Sequence, residues 1–425
     1  MKLRYNYRIY PTDEQRKALA QTFGCVRVVY NWGLNLRSTG YKNGERITYA
    51  KSSEKLTEYK KQEDRKWLND VSCVPLQQAL RNLQTAFVNF FEKRADYPTF
   101  KKKGGAQSAE YTKSAFSFDP ATRTLTLAKI GKMKVKWSSK LPSDPTTITI
   151  KKNPTGQYFA SFVVEVPDQT LPKTGESIGI DFGIARLATL SNYERVQNPK
   201  NTYKYAKKLS TLQRRLAKKQ KGSKRRLKAK LAVAKVHQKI ADCRKDAINK
   251  FTTDIIKRFD TIYIEDLNLR GMVKNHNLAK SLSDAGIGMA VQQLEYKATR
   301  YGRTVQKIDR WFPSSKLCSK CGHLLSSLSL SVREWVCPGC GAIHDRDENA
   351  ACNIQAVGQT VSAHGAGVRA VSPSGGKANL RRSANLQRGS SPAGIPHLKV
   401  GEDVKTRLER ARNYVEEAGR LKEAQ

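Results

Sequence analysis

Lys2 to Tyr10 alternates apolar Leu3, Tyr5, Tyr7 and Ile9 with polar Lys2, Arg4, Asn6 and Arg8, the two-residue period of a strand with one buried face. Pro11 ends it. Thr12, with Gln15 three residues on, forms a capping box that opens a helix from residue 13 to about 37, where Leu19, Phe23, Val26 and Tyr30 keep helical spacing. Two more helical stretches are expected at about 51–62 and 76–91. From 115 to 166 the texture changes to short β-rich runs at 124–127, 133–137, 146–150 and 158–166, with Asn153-Pro154-Thr155-Gly156 as a turn between the last two. The first strand has no neighbour in its own region, so it is expected to pair with these later ones. The result would be a small β-barrel interrupted by a helical insert.

A polar linker, residues 167–176, leads to a second region. Ile178-Gly-Ile-Asp-Phe-Gly183 opens a hairpin pattern that continues through Leu187 and Leu190. Two basic helical segments follow, then a strand at 261–265, a helix near 288–301, a cysteine-rich stretch and a helix starting near Asn349. Residues 355–396 are rich in Gly, Ser, Ala and Pro without periodicity and are expected to be disordered. Residues 401–425 are charged and compatible with a surface helix carrying Val404, Leu408, Val415 and Leu421. No run approaches the ~20 apolar residues of a membrane span, and the N-terminus lacks an apolar signal core, so a soluble, intracellular protein is expected.

Composition sharpens this outline. The 425 residues suggest two to four domains, and 39% hydrophobic residues suffice for real cores. Lys and Arg number 78 against 37 Asp and Glu, a net +41 that calls for an anionic partner and argues against an enzyme of neutral metabolites. Between residues 200 and 250 alone, 19 Lys or Arg face two Asp. Leu209, Leu212, Leu216, Leu227 and Leu231 keep an apolar stripe beneath that charge, and Gly222-Ser223 breaks the stretch into an antiparallel helical pair. A charged run is commonly just a solvated face. One so one-sided favours phosphate contact through shape and backbone, with Arg214, Arg215, Lys218, Arg225 and Arg226 as candidates.

Cys318-x-x-Cys321 and Cys337-x-x-Cys340, fifteen residues apart, have the spacing of two zinc knuckles, and Gly322, Gly339 and Gly341 supply their tight turns. Four thiolates close a tetrahedral zinc site, which staples a ribbon and leaves no position for a substrate. His323 and His344 then stand by as non-ligands. Cys25, Cys73, Cys243 and Cys352 are scattered and are expected to be small buried hydrophobes in a reducing compartment.

Three acids lie away from the charged faces: Asp181 in Ile180-Asp-Phe-Gly183, Glu265 ending Ile262-Tyr-Ile-Glu265, and Asp347 in His344-Asp-Arg-Asp-Glu-Asn-Ala-Ala351. Each alone could be a turn former, a strand-end solvent residue or a helix cap. Together they could hold a pair of divalent cations, which offsets the cost of carboxylates in apolar strands, and a phosphodiester is the natural substrate of so basic a protein.

Gly179-Ile-Asp181-Phe-Gly183, Ile264-Glu265-Asp-Leu267, Phe312-Pro-Ser-Ser-Lys-Leu-Cys318-Ser-Lys-Cys-Gly322 and Asp345-Arg-Asp347-Glu-Asn-Ala-Ala-Cys-Asn353, in this order, resemble the TnpB proteins of bacterial and archaeal insertion sequences, relatives of the type V CRISPR nucleases. The likeness spans about residues 1–354, including Tyr10-Pro-Thr…Gln15 and Tyr30-Asn31-Trp32. It implies an α/β nuclease domain of the RuvC-like, RNase H fold at 175–315 and 342–356. A zinc ribbon would occupy 316–341, a wedge-like β-barrel 1–12 and 105–170, a helical recognition insert 13–104, and a disordered tail 357–425. It also implies Asp181, Glu265 and Asp347 as a catalytic triad binding two Mg²⁺, with Asp345 as the fallback for the third acid.

The activity implied is RNA-guided DNA cleavage by a monomer in the bacterial or archaeal cytoplasm, associated with the nucleoid. Its partners would be a guide RNA from the element's own end and double-stranded target DNA beside a short motif. Tyr49, Ser53 and Gln77 fall where relatives read that motif, although Cys73 and Val74 depart from a stretch often basic or aromatic. The alternatives are a catalytically silent RNA-guided regulator, or a transposase that joins DNA strands directly.

Overall fold

The computed structural model describes residues 1–363, which divide into two compact units: residues 1–167 with 215–235, and the remainder. The first unit begins with β1 (Lys2–Tyr10), α1 (Asp13–Lys42), α2 (Tyr49–Tyr59) and α3 (Cys73–Phe91). Strands β2 (Gln107–Thr112), β3 (Phe116–Asp119), β4 (Thr124–Leu127), β5 (Gly131–Lys136), β6 (Pro145–Lys152) and β7 (Tyr158–Glu165) follow. The capping box forms as expected: Thr12 Oγ1 accepts from the Gln15 amide, and Gln15 Oε1 from the Thr12 amide.

The order of the seven-stranded sheet is β2-β6-β7-β1-β5-β4-β3. The first strand does pair with the later ones, Lys2 opposite Glu165 on one side and Arg8 opposite Lys136 on the other. The barrel, however, stops short of closure, because β2 turns through the 3-10 segment Lys113–Ala115 directly into β3 and leaves these two as unpaired edges. The helical insert is also no separate body. Tyr7 and Ile9 of β1, Leu19 and Leu34 of α1, Leu80 of α3 and Phe162 of β7 belong to one buried cluster.

Beyond the linker come β8 (Ser177–Phe182), β9 (Arg186–Leu190), β10 (Arg195–Gln197), α4 (Asn201–Lys204), α5 (Ala206–Ala217) and α6 (Lys224–Arg258). Next are β11 (Thr261–Glu265), α7 (Leu269–Lys274), α8 (His276–Ala285), α9 (Ile287–Tyr301) and β12 (Thr304–Ile308). The ribbon strands β13 (Glu334–Val336) and β14 (Ile343–Asp345) lead into α10 (Arg346–Ala363). The sheet order is β10-β9-β8-β11-β12, with β8, β11 and β12 parallel and β9 and β10 antiparallel.

Helix α10 corrects the expectation of disorder from 355 onward. It stays helical to Ala363 because Ile354 and Val357 are buried against Tyr263 and Ile308, a tertiary contact that composition cannot register. The remaining tail and the surface helix expected at 401–425 lie outside the described residues. Among the described residues no helix is long and apolar enough to cross a membrane.

Candidate metal centres and nucleic-acid surface

Asp181 is the next-to-last residue of β8 and Glu265 the last of β11. The parallel register sets Ile180 opposite Ile264, so the two acids are side by side on strands roughly 4.8 Å apart. Asp347 lies in the first turn of α10, and two glycines let that helix sit against the sheet. A Cβ on Gly179 of β8 would fall 2.3 Å from the Ala351 carbonyl oxygen, and one on Gly358 would fall 2.0 Å from the Tyr263 ring.

The electrostatics mark these three as a group. Burial, then the charges of Glu265 and Asp347, push the Asp181 carboxyl up to about 8. Burial also raises Glu265, while the Ser314 hydroxyl, donating to Glu265 Oε1 at 2.5 Å, acts in the opposite direction. Asp347 has Arg333 Nη1 at 3.5 Å and Arg186 Nη1 at 3.8 Å.

Asp345 is differently placed. Its carboxylate accepts from the Asp347 and Glu348 amides at 3.0 and 3.2 Å, capping α10, and pairs with Arg186 at 2.9 Å and Arg195 at 3.3 Å. Burial pushes this carboxyl up, yet the Arg186 hydrogen bond and the helix amides hold it below the usual range. Among the described residues the four cysteines are the group whose ligand atoms all lie within 4.8 Å of one another.

In the ribbon, Cys318 Sγ lies 3.8 Å from Cys340 Sγ and Cys321 Sγ 3.6 Å from Cys337 Sγ. This donor set fits a tetrahedral zinc ion. Neither histidine joins the four-sulfur group, but His344 does more than stand by: its Nε2 is 3.0 Å from Cys318 Sγ and its ring packs on Trp335, the kind of contact that orients a ligand.

The candidate nucleic-acid residues separate into three sets. Tyr49 opens α2 and lines a groove of about 680 Å³ with Arg37, Arg46, Gln78 and Arg81. Its hydroxyl accepts from Arg81 Nε at 3.0 Å, and the guanidinium also lies over its ring. Ser53 and Gln77 lie on α2 and α3 but do not line that groove, whereas Gln78, Arg46 and Arg81, which periodicity does not single out, do. Arg214, Arg215, Lys218 and Arg225 are exposed and without ion pairs among the described residues.

Arg226 is placed differently from these four. Its Nη1 donates to the Leu216 and Lys219 carbonyls at 2.9 and 2.6 Å, capping the end of α5 and closing the turn to α6. The leucine stripe is not covered either, since Leu227 and Leu231 are 62% and 36% exposed.

Family profiles described as "Probable transposase", "Cas12f1-like, TNB domain" and "Helix-turn-helix domain" match residues 161–276, 288–354 and 1–46. Over the last of these ranges the chain forms β1 followed by the single long helix α1. A Cas12f1 chain, solved in complex with its guide RNA and target DNA, shares the fold with a TM-score of 0.54 at 14% identity, over 84% of this chain and 98% of that one. InsQ of Escherichia coli K12, named "Putative RNA-guided DNA endonuclease InsQ", is 31% identical over 87% of this chain and 95% of its own length. A Streptomyces pristinaespiralis protein named "Putative RNA-guided DNA endonuclease" is 46% identical over 94% of this chain and 99% of its own. With identity at that level across nearly the full length of both sequences, this chain belongs to the TnpB family.

Proposed function

We propose that this chain is an RNA-guided DNA endonuclease carried by a transposable element, with Asp181, Glu265 and Asp347 holding two magnesium ions at a RuvC-like site. The observation that carries the reading is the setting of Asp181, a carboxyl pushed to about 8 by burial and by two neighbouring carboxylates. Such a cluster is unfavourable without divalent cations. Three antiparallel strands followed by two parallel ones, with acids at the ends of the adjoining β8 and β11, support an RNase H-like fold.

Magnesium held there would activate a water and stabilise the leaving oxygen of a phosphodiester. The chain's own residues set the stage for it. Asp181 and Glu265 present oxygens at one end of the sheet, and Arg186 and Arg333 flank Asp347 with donors for a phosphate. Arg214, Arg215, Lys218 and Arg225 would follow the backbone of the guide–target duplex, and Tyr49, Ser53 and Gln77 the motif beside the target. The four cysteines hold structural zinc. The protein would act as a monomer bound to guide RNA in the bacterial or archaeal cytoplasm, at the nucleoid.

The test is cleavage of matched DNA by the reconstituted protein–RNA complex in magnesium. Asp181→Ala should abolish cutting while guide binding persists; cutting at the wild-type rate would remove Asp181 from the site. A wild-type complex that binds matched DNA and leaves it whole would identify a silent regulator, and joined products a transposase.

A further inference from the structure

We propose that Ser314 is a positioning residue for Glu265, and that Asn349 and Asn353 set it in place, linking the zinc ribbon to the acidic cluster. The inference rests on the reading of that cluster given above. A glutamate at a strand end is free to turn unless something holds it. Here the Ser314 hydroxyl donates to Oε1 at 2.5 Å, which fixes one oxygen and leaves the other for a cation.

Ser314 belongs to no strand or helix, so its own position needs an explanation. Its carbonyl accepts from Asn349 Nδ2 at 3.3 Å and from Asn353 Nδ2 at 2.8 Å, and the same two amides donate to the Leu317 carbonyl, each at 2.7 Å. Asn349 Oδ1 in turn accepts from the Ser319 amide at 2.9 Å. Ser314, Asn349 and Asn353 are 6%, 2% and 1% exposed.

Leu317 and Ser319 flank the zinc ligand Cys318, and Asn349 follows Asp347 by two residues on α10. The same pair of amides therefore ties the first zinc knuckle, the serine on Glu265 and the helix bearing Asp347 into one unit. Asn353 Oδ1 is buried without a hydrogen-bond partner, a desolvation cost that keeping its amide donors must outweigh. A loop merely held in place would need these amides but not the hydroxyl on the acid.

Metal binding distinguishes the two roles. Manganese would be titrated into the full-length protein–RNA complex and free Mn²⁺ followed by electron paramagnetic resonance, with DNA cleavage measured in parallel against magnesium concentration. Removing an outer partner of a metal ligand typically costs about 10–100-fold in affinity. Ser314→Ala is accordingly expected to raise the half-saturating Mn²⁺ concentration by about that factor and the magnesium requirement with it, at wild-type zinc content and guide binding. Ser314→Thr, which keeps the hydroxyl, should restore both.

Wild-type Mn²⁺ binding in Ser314→Ala would overturn the proposal. Should that variant lose zinc, the near-isosteric, weakly donating Ser314→Cys decides in its place, on the same criterion. A wild-type complex with no Mn²⁺ site that Asp181→Ala removes would sink the acidic-cluster reading itself, and the role of Ser314 with it.

Discussion

Asp345 and Asp347 are two positions apart and chemically identical, yet their surroundings differ. Two guanidinium groups and two helix amides already satisfy Asp345, whereas Asp347 has only looser arginines and raises the Asp181 carboxyl with its charge. A stability prediction follows at Asp181. Its carboxyl is held above the unfolded value, so the folded chain keeps a proton that the unfolded chain releases near pH 4. Stability at this site is therefore lost as pH rises from about 4 to about 8. Without added magnesium, Asp181→Asn should melt above wild type, by a margin that widens across that interval; magnesium should then raise the wild type and not the variant. Thermal melts in magnesium-free buffer that show wild type the more stable at pH 8 would contradict this.

At the level of elements, α10 carries most of the arrangement, since it brings Asp347, Asn349 and Asn353 against β8 and β11. Its approach depends on Gly179, where a methyl group would meet the backbone oxygen of Ala351 rather than a side chain able to turn away. Gly179→Ala should destabilise the protein by about 1–3 kcal/mol, the usual cost of overpacking, and weaken cleavage as α10 moves off the sheet. A melting temperature equal to wild type would mean that the helix does not sit so close.

The elements differ in how far their patterns reveal them. Strands β1, β4 and β11 follow from alternation or from a short apolar run with turn residues at its ends. β12 escapes the same reading because one of its two buried positions is polar, Gln306 beside Ile308. β2 is hidden likewise, burying only Ala109 and Tyr111 of Gln-Ser-Ala-Glu-Tyr-Thr. Backbone pairing with β11 and β6 makes these segments strands, and pairing has no local period.

For the molecule as a whole, the +41 charge is concentrated, with 19 Lys or Arg against two Asp in residues 200–250. If this stretch lies along phosphates, guide affinity should fall linearly in log–log plots against salt. Replacing Arg214, Arg215, Lys218 and Arg225 by glutamine should flatten that slope by roughly 0.7–0.9 for each phosphate no longer neutralised. Filter binding across a salt series checks this, and an unchanged slope would move the duplex elsewhere. Arg226→Gln should instead loosen the α5–α6 turn, because its guanidinium is engaged with the carbonyls of Leu216 and Lys219.

The amino-acid sequence by itself determined the four clustering cysteines, the basic stretch and the three candidate acids, because ligand type, spacing and charge are properties of neighbouring residues. Tertiary structure alone decided how the side-chain partners of Asp345 and Asp347 differ, how far α10 extends and which serine holds Glu265. Each of those rests on a contact between segments distant in the chain, from Glu265 to Ser314 or from Gly179 to Ala351, and such a contact exists only once the sheet and α10 have packed.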